Sequence, residues 1–126
     1  MATILVVDDD ADIRSVLRRL LERAGHRVSE ADSADAAITA VLAEPPPDAV
    51  ISDVLMPERT GLDFYTELVD VAPHLTQRVI FLTGAAGDRR VHDRIEQLGV
   101  PMLAKLGDLQ LVVDAVRIAL LKPLQR

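Results

Sequence analysis

The alternation of short apolar runs with longer amphipathic segments constrains the fold of this chain more than any other feature. Five short segments have the length and composition of strands, the one around Val28 being the weakest: Ile4–Val7, His26–Ala31, Ala49–Asp53, Arg78–Thr83 and Val100–Lys105. Each is followed by a segment whose apolar residues recur at helical spacing. Strict alternation of this kind is typical of a parallel sheet with helices on both faces. The continuous apolar character of most strands agrees with burial on both sides.

Residues that favour helix ends support this division. Side chains suited to N-capping precede the five predicted helices at Asp10, Ser33, Thr60, Asp88 and Asp108. Thr60 and Asp63 also have the spacing of a capping box, and Gly25 follows the first helix as a C-terminal cap. The segment Glu44–Asp48, with three consecutive prolines, is predicted to be a loop. Pro73 is predicted to end the third helix.

Composition narrows the functional classes. The 126 residues fit one domain, and the formal net charge of −6 disfavours direct nucleic-acid binding, which depends on basic residues. Cysteine is absent, which excludes disulfides and thiolate metal sites and suits a reducing compartment. The sequence shows no secretory signal and no apolar run near the roughly 18 residues of a membrane span. We therefore expect a soluble cytoplasmic protein without membrane insertion.

Polar residues stand where the predicted strands end. The first strand runs into Asp8 and Asp9, the third ends at Asp53, the fourth at Thr83 and the fifth at Lys105. In open α/β sheets, ligand sites lie beyond the carboxyl ends of the strands. Although each residue alone has an ordinary structural explanation, such as helix capping or a turn, their shared position predicts that they meet at one edge.

The chemistry of this predicted cluster favours a metal and a phosphoryl group. Two carboxylates at ~4 Å repel by roughly 4 kcal/mol at an effective dielectric constant near 20. Three of them must therefore take up protons, accept hydrogen bonds or bind a cation. A cluster of oxygen ligands without His or Cys suits a hard ion such as Mg²⁺. Lys105 adds a compact positive charge suited to phosphoryl oxygens, and Thr83 adds a hydroxyl donor.

At these positions the chain resembles the receiver domains of two-component response regulators. The matching segments are VVDDD (Val6–Asp10), SDVLMPERTG (Ser52–Gly61), FLTG (Phe81–Gly84) and AK (Ala104–Lys105). The FLTG segment also resembles receivers attached to hybrid histidine kinases. The resemblance covers essentially the whole chain and implies a single receiver domain over residues 1–126. It further implies a flavodoxin-like, doubly wound parallel sheet of five strands in the order 2-1-3-4-5, with five helices on two faces.

The resemblance also implies a phosphoacceptor site. Asp53 matches the residue that takes a phosphoryl group from the phosphohistidine of a histidine kinase or a histidine phosphotransfer protein. It implies Mg²⁺ bound by Asp9, Asp53 and the backbone carbonyl of Leu55. Asp8 would act mostly through metal-bound water.

Further roles follow from the same resemblance. Lys105 would pair with the phosphoryl oxygens, and Thr83 would turn inward to hydrogen-bond them in the active state. Hydrolysis of the acyl phosphate would reset a self-phosphorylating and self-dephosphorylating switch, which differs from a turnover enzyme. The signal would pass to an output domain, attached or separate. In the family the first helix and the loop after the last strand meet the partner's histidine-bearing helices, so Arg14 and Arg18 are candidate partner contacts.

Three departures from the family pattern bear on function. Leu106 stands where Pro usually follows the lysine, so a trans peptide is favoured there by about 2.5–4 kcal/mol. Met102 stands where the family often carries an aromatic side chain, so switching by an aromatic rotamer is excluded. Leu55 and Ala85 cannot position a water molecule by side-chain hydrogen bonding. We therefore predict slow self-dephosphorylation.

Two other functions compete with this interpretation. The chain could be a non-catalytic receiver-like docking module, because of Leu106 and Met102. It could also be a haloacid-dehalogenase-like phosphatase, since Asp8 and Asp10 have the D-x-D spacing of that family's nucleophile motif. The phosphatase requires further acidic residues after the lysine, and only two acidic residues follow Lys105. The full set of carboxylates with Thr83 and Lys105 favours phosphoryl chemistry over docking alone.

Overall fold

A five-stranded parallel sheet forms the centre of the computed structural model, which describes residues 2–84, 89–105 and 107–123. The strands are β1 (Thr3–Val7), β2 (Arg27–Ala31), β3 (Ala49–Asp53), β4 (Val79–Thr83) and β5 (Met102–Ala104). Their order is β2-β1-β3-β4-β5, and all neighbouring pairs are parallel. The predicted flavodoxin-like fold and strand order are confirmed.

In the described part of the chain, four α-helices connect successive strands and a fifth follows β5: α1 (Ala11–Arg23), α2 (Ala34–Val41), α3 (Gly61–Val71), α4 (Arg89–Leu98) and α5 (Leu109–Leu120). Asp10, Ser33, Thr60 and Asp108 cap α1, α2, α3 and α5 as predicted, and the capping box of Thr60 with Asp63 is formed. Asp88, the predicted cap of α4, lies outside the described residues. None of the described helices has the length and apolar character that a membrane span requires.

A short 3-10 helix that the sequence pattern did not predict, Pro73–Arg78, lies between α3 and β4. Pro73 ends α3 as predicted, but it also begins the 3-10 helix, because proline fits the first turn of a helix. Arg78 accordingly belongs to this helix, and β4 begins one residue later than predicted. The fifth strand is also shorter than predicted, since Pro101 lacks the N–H that a strand ladder requires.

Two apolar cores flank the sheet. Alternate side chains of β1 point to opposite faces, so that Ile4 packs on the side of α1 and α5 and Leu5 on the side of α2, α3 and α4. The strands β1, β3 and β4 are buried almost throughout, whereas β2 and β5, at the two edges, are partly exposed. This burial fixes the central strands, and with them the residues that follow their carboxyl ends.

Candidate functional site

The register of the sheet brings the carboxyl ends of four strands to one edge. The paired positions at these ends are Val7 with Ser52, Asp53 with Leu82, and Thr83 with Ala104. Because the strands are parallel, the residues that terminate them lie side by side although they are far apart in sequence. The predicted convergence of Asp8, Asp53, Thr83 and Lys105 therefore has a simple geometric origin.

Three carboxylates form the centre of this edge. Asp8, Asp9 and Asp53 each offer a carboxylate oxygen, and these oxygens lie within 4.8 Å of one another. Asp8 and Asp53 are buried, with 1% and 5% of their surface exposed, whereas Asp9 is exposed. Oδ1 of Asp8 accepts a hydrogen bond of 2.9 Å from the backbone N–H of Asp10. A set of oxygen donors at this spacing could bind a divalent metal ion.

Lys105 completes the cluster from the end of β5. Its Nζ lies 2.9 Å from Oδ2 of Asp8 and 3.0 Å from Oδ2 of Asp53. Burial disfavours the ammonium charge, but hydrogen bonds and attraction to Asp8 and Asp53 outweigh this and raise the pKa of Lys105. The protonated amine offsets one of the three carboxylate charges. The two negative charges that are left match the charge of a divalent cation.

The ionised form of the Asp53 carboxylate is electrostatically unfavourable at this position. Burial raises the pKa of Asp53, while the hydrogen bond from Lys105 lowers it and the negative charge of Asp8 raises it again. The backbone N–H of Leu55 also stabilises the ionised form, yet the net pKa of Asp53 lies above its usual value. A cation placed among these carboxylates would remove much of the repulsion.

Gly61 packs closely against the backbone of Asp53. Its N–H donates a 2.7 Å hydrogen bond to the carbonyl of Val54, at the point where β3 runs into the following loop. A Cβ atom at Gly61 would overlap the carbonyl oxygen of Asp53 and would lie 3.0 Å from the ring of Phe81. The glycine of the motif is therefore required because α3 begins in contact with the backbone of the candidate acceptor.

Thr83 and Leu55 lie beside the cluster with different surroundings. Thr83 is buried at the end of β4, and its carbonyl accepts a 3.0 Å hydrogen bond from the N–H of Lys105. The side chain of Leu55, two residues after Asp53, is about half exposed.

Met102 is half-buried and packs against the core on the side of α2, α3 and α4. Ala85 and Leu106, two of the predicted departures, lie outside the described residues.

Arg14 and Arg18 have contacts within the domain that their sequence pattern did not predict. Both guanidinium groups bind the carboxylate of Glu30 in β2, at 2.9 Å and 2.7 Å. Nη1 of Arg14 also donates a 2.7 Å hydrogen bond to the backbone carbonyl of Asp8. Helical spacing could not reveal this contact, but the strand order could have done so, because β2 pairs with β1 and Glu30 lies opposite Val6.

Comparison with known proteins identifies the family. The family described as response regulator receiver domain matches residues 4–117 of the chain. The chain belongs to this family. The sequence-based assignment to two-component signalling is thereby confirmed, and receiver domains of this family interact with histidine kinases.

The curated relatives that this chain matches differ in length. It is 34% identical over 119 residues to the DNA-binding transcriptional regulator NtrC of Azospirillum brasilense, a match that covers 94% of this chain and 24% of NtrC. It is 34% identical over 86 residues to the response regulator receiver protein CpdR of Brucella abortus, covering 68% of this chain and 69% of CpdR. The receiver thus spans about a quarter of the length of NtrC.

Solved receiver structures share the whole architecture. A receiver domain protein from Clostridium thermocellum superposes with a TM-score of 0.85 at 31% identity, covering 95% of this chain and 94% of the other. The receiver domain of a histidine kinase from Syntrophus aciditrophicus gives 0.82 at 29% identity, with 95% and 90% coverage. TrrA of Thermotoga maritima, in complex with Mg²⁺-BeF, gives 0.82 at 25% identity, with 94% and 99% coverage.

Proposed function

We propose that this receiver takes a phosphoryl group from a phosphohistidine onto the carboxylate of Asp53. The observation that carries the proposal is the clustering of three carboxylate oxygens within 4.8 Å, with Nζ of Lys105 only 3.0 Å from Asp53. Membership of the receiver family supports the same role. Because Asp53 is nearly buried at the end of a central strand, its position is fixed before the donor arrives.

We propose Mg²⁺ as the ion of the acidic cluster. Hard oxygen donors and a residual charge of about two negative units fit this ion. Asp9, Asp53 and the backbone carbonyl of Leu55 would bind it, with Asp8 acting through a bound water. When present, the ion would offset negative charge on the transferring phosphoryl group. The relative TrrA, whose structure is described as a Mg²⁺-BeF complex, supports this choice by analogy.

The residues of the chain account for the transfer. An oxygen of Asp53 attacks the phosphorus atom, forming a P–O bond as the P–N bond to the donor imidazole breaks. The electron pair of that bond stays on the imidazole nitrogen. Lys105 already lies beside Asp53. Its ammonium group would bind the phosphoryl oxygens and offset the charge that develops on them. Thr83, at the end of the adjacent strand, would hydrogen-bond the phosphoryl group afterwards and couple it to the loop that follows.

The donor would dock in a groove beside the acidic cluster, which we name the α1–α5 groove. It has a volume of about 230 Å³ and is lined by Ile13, Val16, Leu17, Lys105, Gly107 and Leu109. Val16 and Leu109 are exposed although they are apolar. An apolar surface next to Lys105 suits the helices of a histidine kinase or histidine phosphotransfer protein, because docking there would bring the phosphohistidine to Asp53.

The proposal extends to the context of the domain. We propose that residues 1–126 form one receiver domain, since every described strand belongs to a single sheet. It would act as a self-phosphorylating and self-dephosphorylating switch that signals to an attached or separate output domain. The absence of cysteine agrees with the cytoplasm as its location. The phosphatase alternative is not favoured, because Asp10, the second residue of its motif, caps α1 through a 2.9 Å hydrogen bond.

Intact-mass measurement tests the proposal directly. Incubating the protein with acetyl phosphate and Mg²⁺ should add the mass of one phosphoryl group. Asp53→Asn should gain none, and chelation of Mg²⁺ should abolish the gain in the wild type. If the wild-type protein, like Asp53→Asn, gains no mass under these conditions, the result favours the docking-module function over phosphoryl transfer.

A further inference from the structure

We propose that Arg14 is a positioning residue that orients Asp9 for metal binding through the backbone of Asp8. This inference rests on the proposed function, because it assigns Arg14 a role toward the ion of the acidic cluster. It concerns a contact between α1 and the end of β1 that no motif of the sequence marks.

The contact restrains the peptide that joins the two aspartates. Nη1 of Arg14 donates a 2.7 Å hydrogen bond to the carbonyl oxygen of Asp8. That carbonyl belongs to the peptide unit between Asp8 and Asp9, so holding its plane restrains the backbone from which the Asp9 side chain leaves. Asp8 and Asp53 are held by burial, whereas Asp9 is exposed and is least restrained by packing. Asp9 therefore depends most on the orientation of this peptide.

Arg14 is itself held in place from the edge of the sheet. Its Nε lies 2.9 Å from Oε1 of Glu30, and its side chain is only 18% exposed. The other oxygen of Glu30 binds Nε of Arg18 at 2.7 Å. A planar guanidinium with one nitrogen on Glu30 and another on the Asp8 carbonyl has little freedom to turn. The side chain of Arg14 thus links Glu30, in the edge strand β2, to the backbone between Asp8 and Asp9.

The hydrogen bond from Arg14 does not occupy the carboxylate oxygens that would bind the metal. Arg14 binds a backbone carbonyl, whereas Lys105 binds the carboxylates of Asp8 and Asp53 directly. A cation near the cluster would ordinarily repel Mg²⁺, but the carboxylates of Glu30 and Glu22 together offset the charges of Arg14 and Arg18. Arg14 can therefore orient the backbone without competing for ligand oxygens. Groups that orient metal ligands in this way typically change metal affinity by about 10–100-fold when they are mutated.

Arg18 provides a matched control. Arg14→Gln and Arg18→Gln each remove one ion pair with Glu30, and Arg18→Gln also removes the exposed pair with Glu22. Of the two arginines, only Arg14 contacts the Asp8 carbonyl. Titration of each variant with Mg²⁺ alone, followed by backbone amide shifts in NMR spectra, gives the Kd. We expect Arg14→Gln to weaken Mg²⁺ binding at least about tenfold and Arg18→Gln to change it by less than about twofold. Urea unfolding without metal should give similar stability losses for the two variants.

A second readout separates positioning from chemistry. Phosphorylation of Arg14→Gln by acetyl phosphate should be slow at low Mg²⁺ and approach the wild-type rate when Mg²⁺ saturates the site.

Should Arg14→Gln fail to fold, Arg14→Lys tests the same contact, since it keeps the charge but loses the two-pronged geometry. Equal Mg²⁺ affinities for Arg14→Gln and Arg18→Gln would overturn the inference. Failure of the wild-type protein to bind Mg²⁺ would instead overturn the proposed function.

Discussion

Nζ of Lys105 lies 3.0 Å from Oδ2 of Asp53, although 52 positions separate the two residues in the chain. The same ammonium group also binds Asp8, so one cation serves two buried carboxylates. This arrangement keeps Asp53 ionised at neutral pH only at an electrostatic cost, because its pKa is raised by burial and by the charge of Asp8. Several measurable consequences follow from this cluster and from the residues around it.

Removing the charge of Asp53 should stabilise the metal-free protein. Since the folded-state pKa lies above the unfolded one, the ionised form disfavours folding at any pH above the folded pKa. We expect Asp53→Asn to raise the Tm at pH 7 by about 4 °C, which corresponds to roughly 1 kcal/mol in a domain of this size. The difference from wild type should shrink as the pH falls through the raised folded-state pKa of Asp53. It should vanish below the pKa of an unfolded aspartate, roughly 3.9, where the carboxyl is protonated in both states.

Mg²⁺ should stabilise the wild-type protein more than Asp53→Asn. An ion that binds only the folded state raises its Tm with concentration, and Asp53→Asn lacks one of the carboxylates that we propose as metal ligands. Calorimetry with and without Mg²⁺ should therefore show a larger increase for the wild type than for the variant. If both proteins are metal-free at pH 7 and the Tm of the wild type is above that of Asp53→Asn, the electrostatic argument is contradicted.

Replacing Gly61 should distort the site from behind. The added methyl group of Gly61→Ala would overlap the carbonyl oxygen of Asp53, a backbone atom that can shift only together with the end of β3. We expect a stability loss of about 1–3 kcal/mol, as for other overpacked sites, measured by urea unfolding. Gly84→Ala is the control, because the nearest atom there, Cδ of Lys105, is at an ordinary 3.8 Å. Similar losses for both variants would refute the close-packing explanation.

A charge in the α1–α5 groove should separate donor docking from chemistry. Val16 is 46% exposed in this groove, so Val16→Asp should fold but place a carboxylate on the proposed docking surface. Transfer from a phosphorylated histidine phosphotransfer protein should slow at least about tenfold, or ~1.4 kcal/mol. Phosphorylation by acetyl phosphate should be unchanged.

An exposed apolar residue away from the groove provides the comparison. Leu42 caps the C-terminus of α2, on the opposite face of the sheet from α1, and is 56% exposed. Leu42→Asp should leave both phosphorylation reactions unaltered. A Val16→Asp protein that accepts phosphoryl groups from the protein donor at the wild-type rate would rule out docking at the groove.

The half-exposed side chain of Leu55 should make the acyl phosphate long-lived. An aliphatic side chain cannot orient a water molecule toward the phosphorus, whereas an amide can hydrogen-bond one. We expect Leu55→Asn to accelerate loss of the phosphoryl group by roughly tenfold, through better alignment of the attacking water. The decay of the phosphorylated mass in Mg²⁺ buffer measures this rate. Leu55→Met, which conserves the apolar character, should decay as slowly as the wild type.

Particular elements show where sequence reasoning succeeded and where it failed. Local signals found the helix caps, because a side chain such as Ser33 acts on backbone N–H groups only a few residues away. The same logic found the end of α3 at Pro73 but missed the 3-10 helix that follows, whose Leu75 is fixed by burial in the core. The motif pointed to Gly61 without giving the reason, which lies in contact with Asp53 and Phe81.

The sequence by itself determined the alternation of strands and helices and the acidic, hydroxyl and lysine residues at the strand ends. These follow from periodicity and local hydrogen bonding, which act over a few residues. Only the tertiary structure decided that Arg14 reaches the Asp8 carbonyl and that Glu30 holds two arginines. Such contacts depend on the distances between side chains from separate strands and helices, which are set when the two cores pack against the sheet.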